Sequence, residues 1–340
     1  MKQRTRIILY ILAAAFVLSL PFYVPSGAML GDERSLLMDA MPAQDEDNEG
    51  DEGAWFTRLL FPTAVAEEAQ PALVPLPIDF SPGPAPNPAL FKEDGYEDAS
   101  ISLKLETRDE AGVRWRIAWV KIQDPSQIRT ATAGKLNSSK TALISSMAAK
   151  NNAVIAINTD YMSNDPVKTS YEYRMGEKVR NKPNRKKDLL IIDQHGDFKL
   201  FQKSNQQEID AWLTEGHQII NAFTFGPALV VDGQLIKMES GYGYAGDGKN
   251  PRMAIGQLDK LSYVLVLAEG RTKDSEGATH QELADFMAAL GCQQAFNFDG
   301  GNSATMVYNG GYYQQKSKNN ERTQSDMLYF ATLVDTAGWQ

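Results

Sequence analysis

The chain has 340 residues, 43% of them hydrophobic and 23% charged, with a formal net charge of −9. That charge is uneven: residues 1–31 carry only Lys2, Arg4 and Arg6, residues 32–68 carry eleven acids against Arg34 and Arg58, and the remainder is close to neutral at −3. Without a large basic excess, phosphate-backbone neutralisation and hence nucleic-acid binding lose support, and the lone Cys292 excludes an intrachain disulfide framework or a Cys-based zinc site.

In chain order, Lys2, Arg4 and Arg6 precede the apolar run at 7–24. Residues 1–30 therefore read as a signal peptide or an uncleaved membrane anchor, with the basic end held in the cytoplasm. The working part is expected to be extracytoplasmic, anchored to the cell membrane by an N-terminal helix, or secreted if that helix is cleaved. Residues 31–90 read as a linker: the self-repelling acidic run at 45–53 comes first, followed by a stretch where Pro71, Pro75, Pro77, Pro82, Pro84, Pro86 and Pro88 impose an extended spacer. The folded domain is expected over 91–340.

Alternating residues at 101–107 and 113–122, around Gly112, predict a strand pair. A helix over 141–150 and a buried strand over 152–158 follow, the latter ending in Asn158, Thr159, Asp160 and Tyr161. The segments 189–193 and 198–201 flank His195-Gly196 as a hairpin. Further strands are expected over 219–225, 229–231, 253–258, 263–268 and 326–334. The stretch from Gly277 to Tyr308 is the most informative. Thr279 and Glu282 form a T-x-x-E capping box, and Leu283, Phe286, Met287 and Leu290 mark one helical face. Gly291 stands at the helix end, and a short apolar strand at 295–298 is cut off by Asp299-Gly300-Gly301. Many strands, two clear helices and no regular strand–helix–strand alternation predict an α+β fold with mixed or antiparallel sheets and a few packed helices, a single catalytic domain behind the anchor and linker.

No G-x-S-x-G elbow or phosphate-binding P-loop is present, and His195, His217 and His280 lack metal-ligand spacing. His280, in the first turn of the capped helix, reads as a surface residue. What remains are polar clusters at strand ends: Asn158 with Asp160, Asn250-Pro251-Arg252, Glu269-Gly270-Arg271, and Asp299-Gly300-Gly301-Asn302-Ser303 with Thr305. Each alone is equally compatible with an Asx turn, a hairpin or a surface ion pair. Arginines suit a phosphate and paired carboxylates suit glycosidic cleavage. Together they point to a sugar bearing an anionic phosphate.

The segments F-G-P-A-L-V-V-D-G (225–233), N-P-R-M-A-I-G (250–256), A-E-G-R (268–271) and N-F-D-G-G-N-S-A-T-M (297–306), in this order, resemble the phosphodiester glycosidase family over roughly residues 95–335. That family includes the enzyme that uncovers mannose 6-phosphate by removing N-acetylglucosamine from a phosphodiester. The resemblance implies hydrolysis of an α-glycosyl 1-phosphodiester to free sugar and a phosphomonoester, on envelope or exopolysaccharide glycans. Asp299, Arg252, Asn250, Gly300, Gly301 and Ser303 match the family pattern. Thr159 stands where the family has glycine, Asn302 replaces the third glycine of D-G-G-G-S, and Glu269 stands where Asp is frequent. The expected roles are Asp299 and Glu269 as carboxylates acting at the anomeric carbon, with Asp160 as a third acid or a sugar ligand. Arg252 and Arg271 would hold the phosphate with N–H groups of the 299–303 turn, assisted by Asn250, Asn158, Gly300, Gly301, Ser303 and Thr305. No cofactor is required by this scheme. Two alternatives stay open: an envelope glycan-binding or assembly protein without turnover, and a phosphodiesterase using Asp160, Glu269 and Asp299 to bind Mg²⁺ or Ca²⁺.

Overall fold

Alternation along the strands decides the architecture, because successive side chains on a strand point to opposite faces. In the computed structural model, which describes residues 73–160, 170–242, 246–316 and 321–335, Leu190 and Ile192 enter one core while Leu189 and Ile191 enter another. Ile155 and Ile157 part from Ala156 in the same way, and Met253 and Ile255 from Ala254. Three antiparallel sheets result, and they share one central core.

The largest has nine strands in the order Phe91–Lys92, Gly95–Glu97, Ile101–Glu110, Val113–Ile122, Ser262–Ala268, Arg252–Asp259, Gln294–Phe298, Ala228–Val231 and Gln234–Leu235. The second contains Phe198–Phe201, Asp188–Asp193, Ile219–Phe225, Tyr171–Arg174 and Glu177–Asn181. The third contains Gly311–Tyr312, Met306–Tyr308, Ile155–Asn158, Asp326–Phe330 and Ile128–Thr132. Each sheet turns its other face to one helix. Helix α1 (Ile144–Lys150) packs Ile144, Met147 and Ala148 on the third sheet. Helix α2 (Gln206–Thr214) packs Ile209 and Trp212 on the second, and α3 (His280–Ala289) packs Leu283, Ala284, Phe286 and Met287 on the first. The antiparallel α+β fold is as expected, and the capping box of Thr279 and Glu282 is formed. Cys292 is buried within the α3 core, and burial pushes its thiol up to about 12.

Three features depart from expectation. Helix α2 carries one broken apolar stripe, too weak a period to stand out in the sequence. The Tyr171–Arg174 and Glu177–Asn181 hairpin is stabilised by ion pairs that no short-range pattern announces, such as Arg180 Nη1 to Glu172 Oε2 at 2.6 Å. The Pro-rich segment from Leu73 to Leu90 is docked on the domain rather than a free spacer. Arg129, 1% exposed, donates to the carbonyls of Pro77, Asp79 and Ser81 at 2.9–3.0 Å, and Leu76 N–H donates to Ser126 Oγ. The folded domain therefore begins upstream of Phe91.

Among the described residues no helix is long and apolar enough to cross a membrane. The apolar run at 7–24, the acidic linker run and Tyr161 lie outside those residues.

Candidate active site

Strand register brings the dispersed motifs to one end of the large sheet. Arg252 pairs with Ala268, and Met253 pairs with Phe298. The residues that follow Ala268 and Phe298, namely Glu269 and Asp299, therefore leave the sheet beside Arg252. Asn158 closes the gap from the third sheet: its Nδ2 donates to the Asp299 carbonyl at 2.7 Å, and its Oδ1 accepts from Thr305 N–H at 2.9 Å. Asp299 N–H donates to the Thr159 carbonyl at 3.0 Å. The carboxylate turn is thus clamped between two sheets.

The turn needs its glycines for different reasons. A Cβ on Gly300 would lie 2.6 Å from the Pro251 carbonyl oxygen, a forbidden approach. Gly301 sits at φ +59°, in the left-handed region. Asn302 and Thr159 do not have positive φ. The two departures from the family's glycines therefore impose no backbone strain.

Asp299 opens into a cavity of about 340 Å³ whose wall includes Asn250, Arg252, Arg271, Asn297 and Arg322, a size suited to a small ligand. Among the described residues that line it, Asp299 is the one carboxylate. Burial raises the Asp299 pKa above the ordinary carboxylate value of 3.8, and the Ser303 hydroxyl, Arg322, the Gly300 N–H and Lys187 offset part of that rise. Arg322 Nη1 lies 4.0 Å from Asp299 Oδ2 and donates to Ser303 Oγ at 3.1 Å.

Arg252 is 4% exposed and donates to the carbonyls of Ala278 and Gly248 at 2.9 Å. Its Nη1 is 2.8 Å from His280 Nε2. Because the guanidinium can only donate, Nε2 must accept, which puts the imidazole proton on Nδ1, 3.4 Å from the Tyr242 carbonyl. Burial and the charge of Arg252 push His280 down to about 4, so the ring is neutral at ordinary pH and serves to orient Arg252. Burial and the neighbouring Arg271 lower Arg252 itself to about 10. Arg271 is held by neutral acceptors, Oδ1 of Asn250 and Oδ1 of Asn302. Among the described residues it has no carboxylate partner, which leaves its charge available to an anion.

Several assignments change. Asp160 does not face this cavity. Its Oδ1 takes Arg174 Nη2 at 2.6 Å and its Oδ2 takes Thr224 N–H at 3.1 Å, deep between the sheets. Glu269 is fully buried and belongs to a neighbouring cavity, across the Gly301–Asn302 turn from Asp299. Asn158 and Thr305 are scaffold: the Thr305 hydroxyl donates to the Ser303 carbonyl and accepts from Lys316 Nζ. The turn offers less to a phosphate than expected, since the N–H groups of Asp299, Gly301 and Ser303 are already donated to backbone carbonyls. His280 is not at the surface but 2% exposed in the site wall. Among the described residues no group of three His, Cys, Asp or Glu side chains converges as metal ligands, and Asp160, Glu269 and Asp299 are too dispersed to do so.

Arg322 and Asn297 also line the cavity, and no sequence pattern singles them out as site residues. Arg322 lies in a segment with no strand or helix pattern around it. Asn297 reads as part of an apolar strand, although an amide in such a run is a signal: it is 1% exposed, and its Nδ2 donates to the Gly226 carbonyl at 2.8 Å. Its Oδ1 accepts nothing among the described residues.

Comparison with known proteins agrees with this fold. The fold is similar to the catalytic domain of zebrafish N-acetylglucosamine-1-phosphodiester alpha-N-acetylglucosaminidase, described as auto-inhibited by its pro-peptide, at a TM-score of 0.53 and 18% identity, over 68% of this chain and 82% of that one. A Synechocystis protein aligns at a TM-score of 0.47 and 14% identity, over 68% of this chain and 62% of its own. The prophage-derived protein YomE of Bacillus subtilis (strain 168) is 28% identical over 141 residues, 42% of this chain, which spans about a fifth (21%) of that relative's length. The family model described as phosphodiester glycosidase matches residues 151–331, just over half of the chain and every strand end that builds the cavity. On that match the chain belongs to the phosphodiester glycosidase family.

Proposed function

We propose that this protein hydrolyses an α-glycosyl 1-phosphodiester, of the N-acetylglucosaminyl kind named for the zebrafish protein, to free sugar and a phosphomonoester. The observation that carries the reading is a partly desolvated carboxylate, the one acid among the described lining residues, in a cavity walled by Arg252, Arg271 and Arg322. Those arginines suit the phosphodiester, whose negative charge increases on the leaving oxygen as the glycosidic bond breaks. A phosphomonoester is a good leaving group, so the reaction does not require a second acid besides Asp299. Asp299 takes a proton from water as the water oxygen bonds to the anomeric carbon. The C1–O bond breaks with its electron pair passing to the phosphate. Asn297 Oδ1, fixed by the Nδ2 bond to Gly226, is a buried acceptor for a sugar hydroxyl or amide N–H. One carboxylate acting on water gives inversion, so the first-formed product is the β-anomer.

The basic residues and apolar run at the N-terminus support a location outside the cytoplasm, and the substrates in this reading are envelope or exopolysaccharide glycans. The test is product analysis with a synthetic α-N-acetylglucosaminyl phosphodiester. Free N-acetylglucosamine, lost in Asp299→Asn, is the expected result. Sugar 1-phosphate as the product, or normal turnover by Asp299→Asn, would overturn the assignment.

A further inference from the structure

The carboxylate left over from the mechanism, Glu269, lies across the Gly301–Asn302 turn in a cavity of about 180 Å³. Gly301, Asn302 and Arg322 border both this cavity and that of Asp299. A phosphodiester has two ester arms, and a phosphate at the shared border with its sugar beside Asp299 sends its second arm into the Glu269 side. The Glu269 side chain has no solvent exposure, and its Oε1 accepts from Arg116 Nε at 2.6 Å and Gln315 N–H at 2.8 Å. Its Oε2 is buried and accepts no hydrogen bond among the described residues. A buried carboxylate oxygen without a donor is unfavourable and marks a place where a donor belongs. The ion pair with Arg116 already balances the charge, so a neutral donor suits the oxygen better than a cation. Leu267, Pro251 and Ala304 add apolar wall. An alcohol with both C–H surface and hydroxyls matches the two kinds of surface together.

We propose that the Glu269 cavity is the leaving-group subsite, that Glu269 Oε2 accepts a hydrogen bond from a hydroxyl of the departing alcohol, and that the protein thereby selects polyhydroxylated alcohols. This rests on the hydrolytic reading above. Arg116 stands outside the segment matched to the family, so the ion pair that sets the charge of this subsite comes from a part of the chain the match does not cover.

The experiment is calorimetric titration of the wild-type protein with glycerol 3-phosphate and with propyl phosphate, which have the same carbon count and differ in hydroxyls. Wild type is expected to bind glycerol 3-phosphate about tenfold more tightly, the worth of one hydrogen bond to a charged acceptor. In Glu269→Gln and Glu269→Ala that ratio should fall to about twofold or less. Equal binding of the two esters by wild type, a preference for propyl phosphate, or a preference that survives both substitutions overturns the proposal. Hydrolysis of α-N-acetylglucosaminyl methyl phosphate, which carries nothing to fill the cavity, reads the function separately. Cleavage of that diester without the glycerol preference sinks the subsite and leaves the hydrolase standing; no cleavage and no binding of either monoester sinks both.

Discussion

Two aspartate–arginine groups in this molecule look alike in the sequence and differ in kind. Asp160 is bound by Arg174, and Arg174 Nε also takes Asp326 Oδ2 at 2.7 Å, with its guanidinium stacked 4.3 Å from the Phe223 ring. Burial alone would lower the Arg174 pKa, but the carboxylates of Asp160, Asp326 and Glu172 outweigh it and raise it. That group is closed on itself and joins the second sheet to the third. Asp299 instead lies 4.0 Å from its nearest arginine, with a raised pKa and a cavity in front of it. A carboxylate whose oxygens are all taken holds a fold together. One that is partly buried and only partly compensated has free energy left for a ligand or a proton.

The largest expected effect breaks this contrast at the open end. Asp299→Asn should lower kcat/KM for the sugar phosphodiester by about 10³-fold or more, with a melting temperature near that of wild type. The closed end should behave in reverse. Asp160→Asn leaves Arg174 buried with part of its compensation gone, at a cost of about 3 kcal/mol in denaturant unfolding, while kcat per folded molecule changes little. A variant of Asp160 that folds normally and has lost turnover would refute the division. Arg271→Ala should raise KM by about 30-fold through loss of one charge-assisted contact with the phosphate, and a salt titration should show a shallower dependence than wild type.

The smallest effects are in pH. Asp299 must be ionised to take a proton, and its pKa is raised in the folded protein. Activity is therefore lost as pH falls through a value above 3.8. Arg322→Gln removes a compensating charge and should move that acid limb to higher pH. His280 gives the corresponding sign for stability. Its pKa is lowered from 6.5 to about 4 on folding, so its contribution is present above pH 6.5 and is lost as pH falls toward 4. Thermal unfolding across that window should show a steeper decline in wild type than in His280→Gln.

Much of the fold was legible because its signals are local. The 101–110 and 113–122 pair, the 189–193 and 198–201 hairpin and the capped helix α3 follow from alternation, turn residues and a capping box within a few positions. The chemistry was legible only as composition at strand ends. Asp299, Arg252 and Arg271 were found because each sits at a strand or turn boundary. Asp160 and Glu269 satisfied the same criterion, and what separates them is the partner each meets: Arg174 from another sheet for one, Arg116 at a distance of 153 residues for the other. Such pairings are set by tertiary packing, which no short window contains. Asn297 and Arg322 were hidden for the same reason, one inside an apolar strand and the other in irregular chain.

The segment docked by Arg129 has a practical consequence for anyone preparing the folded part alone. A boundary drawn at Phe91, where strand patterning begins, would delete the carbonyls of Pro77, Asp79 and Ser81 and uncover both the Arg129 guanidinium and the apolar surface on which Leu76 packs. Recombinant protein starting there should express poorly, whereas a start at or before Leu73 keeps the segment and should remain soluble. The prolines that look like a spacer form part of the wall of the domain.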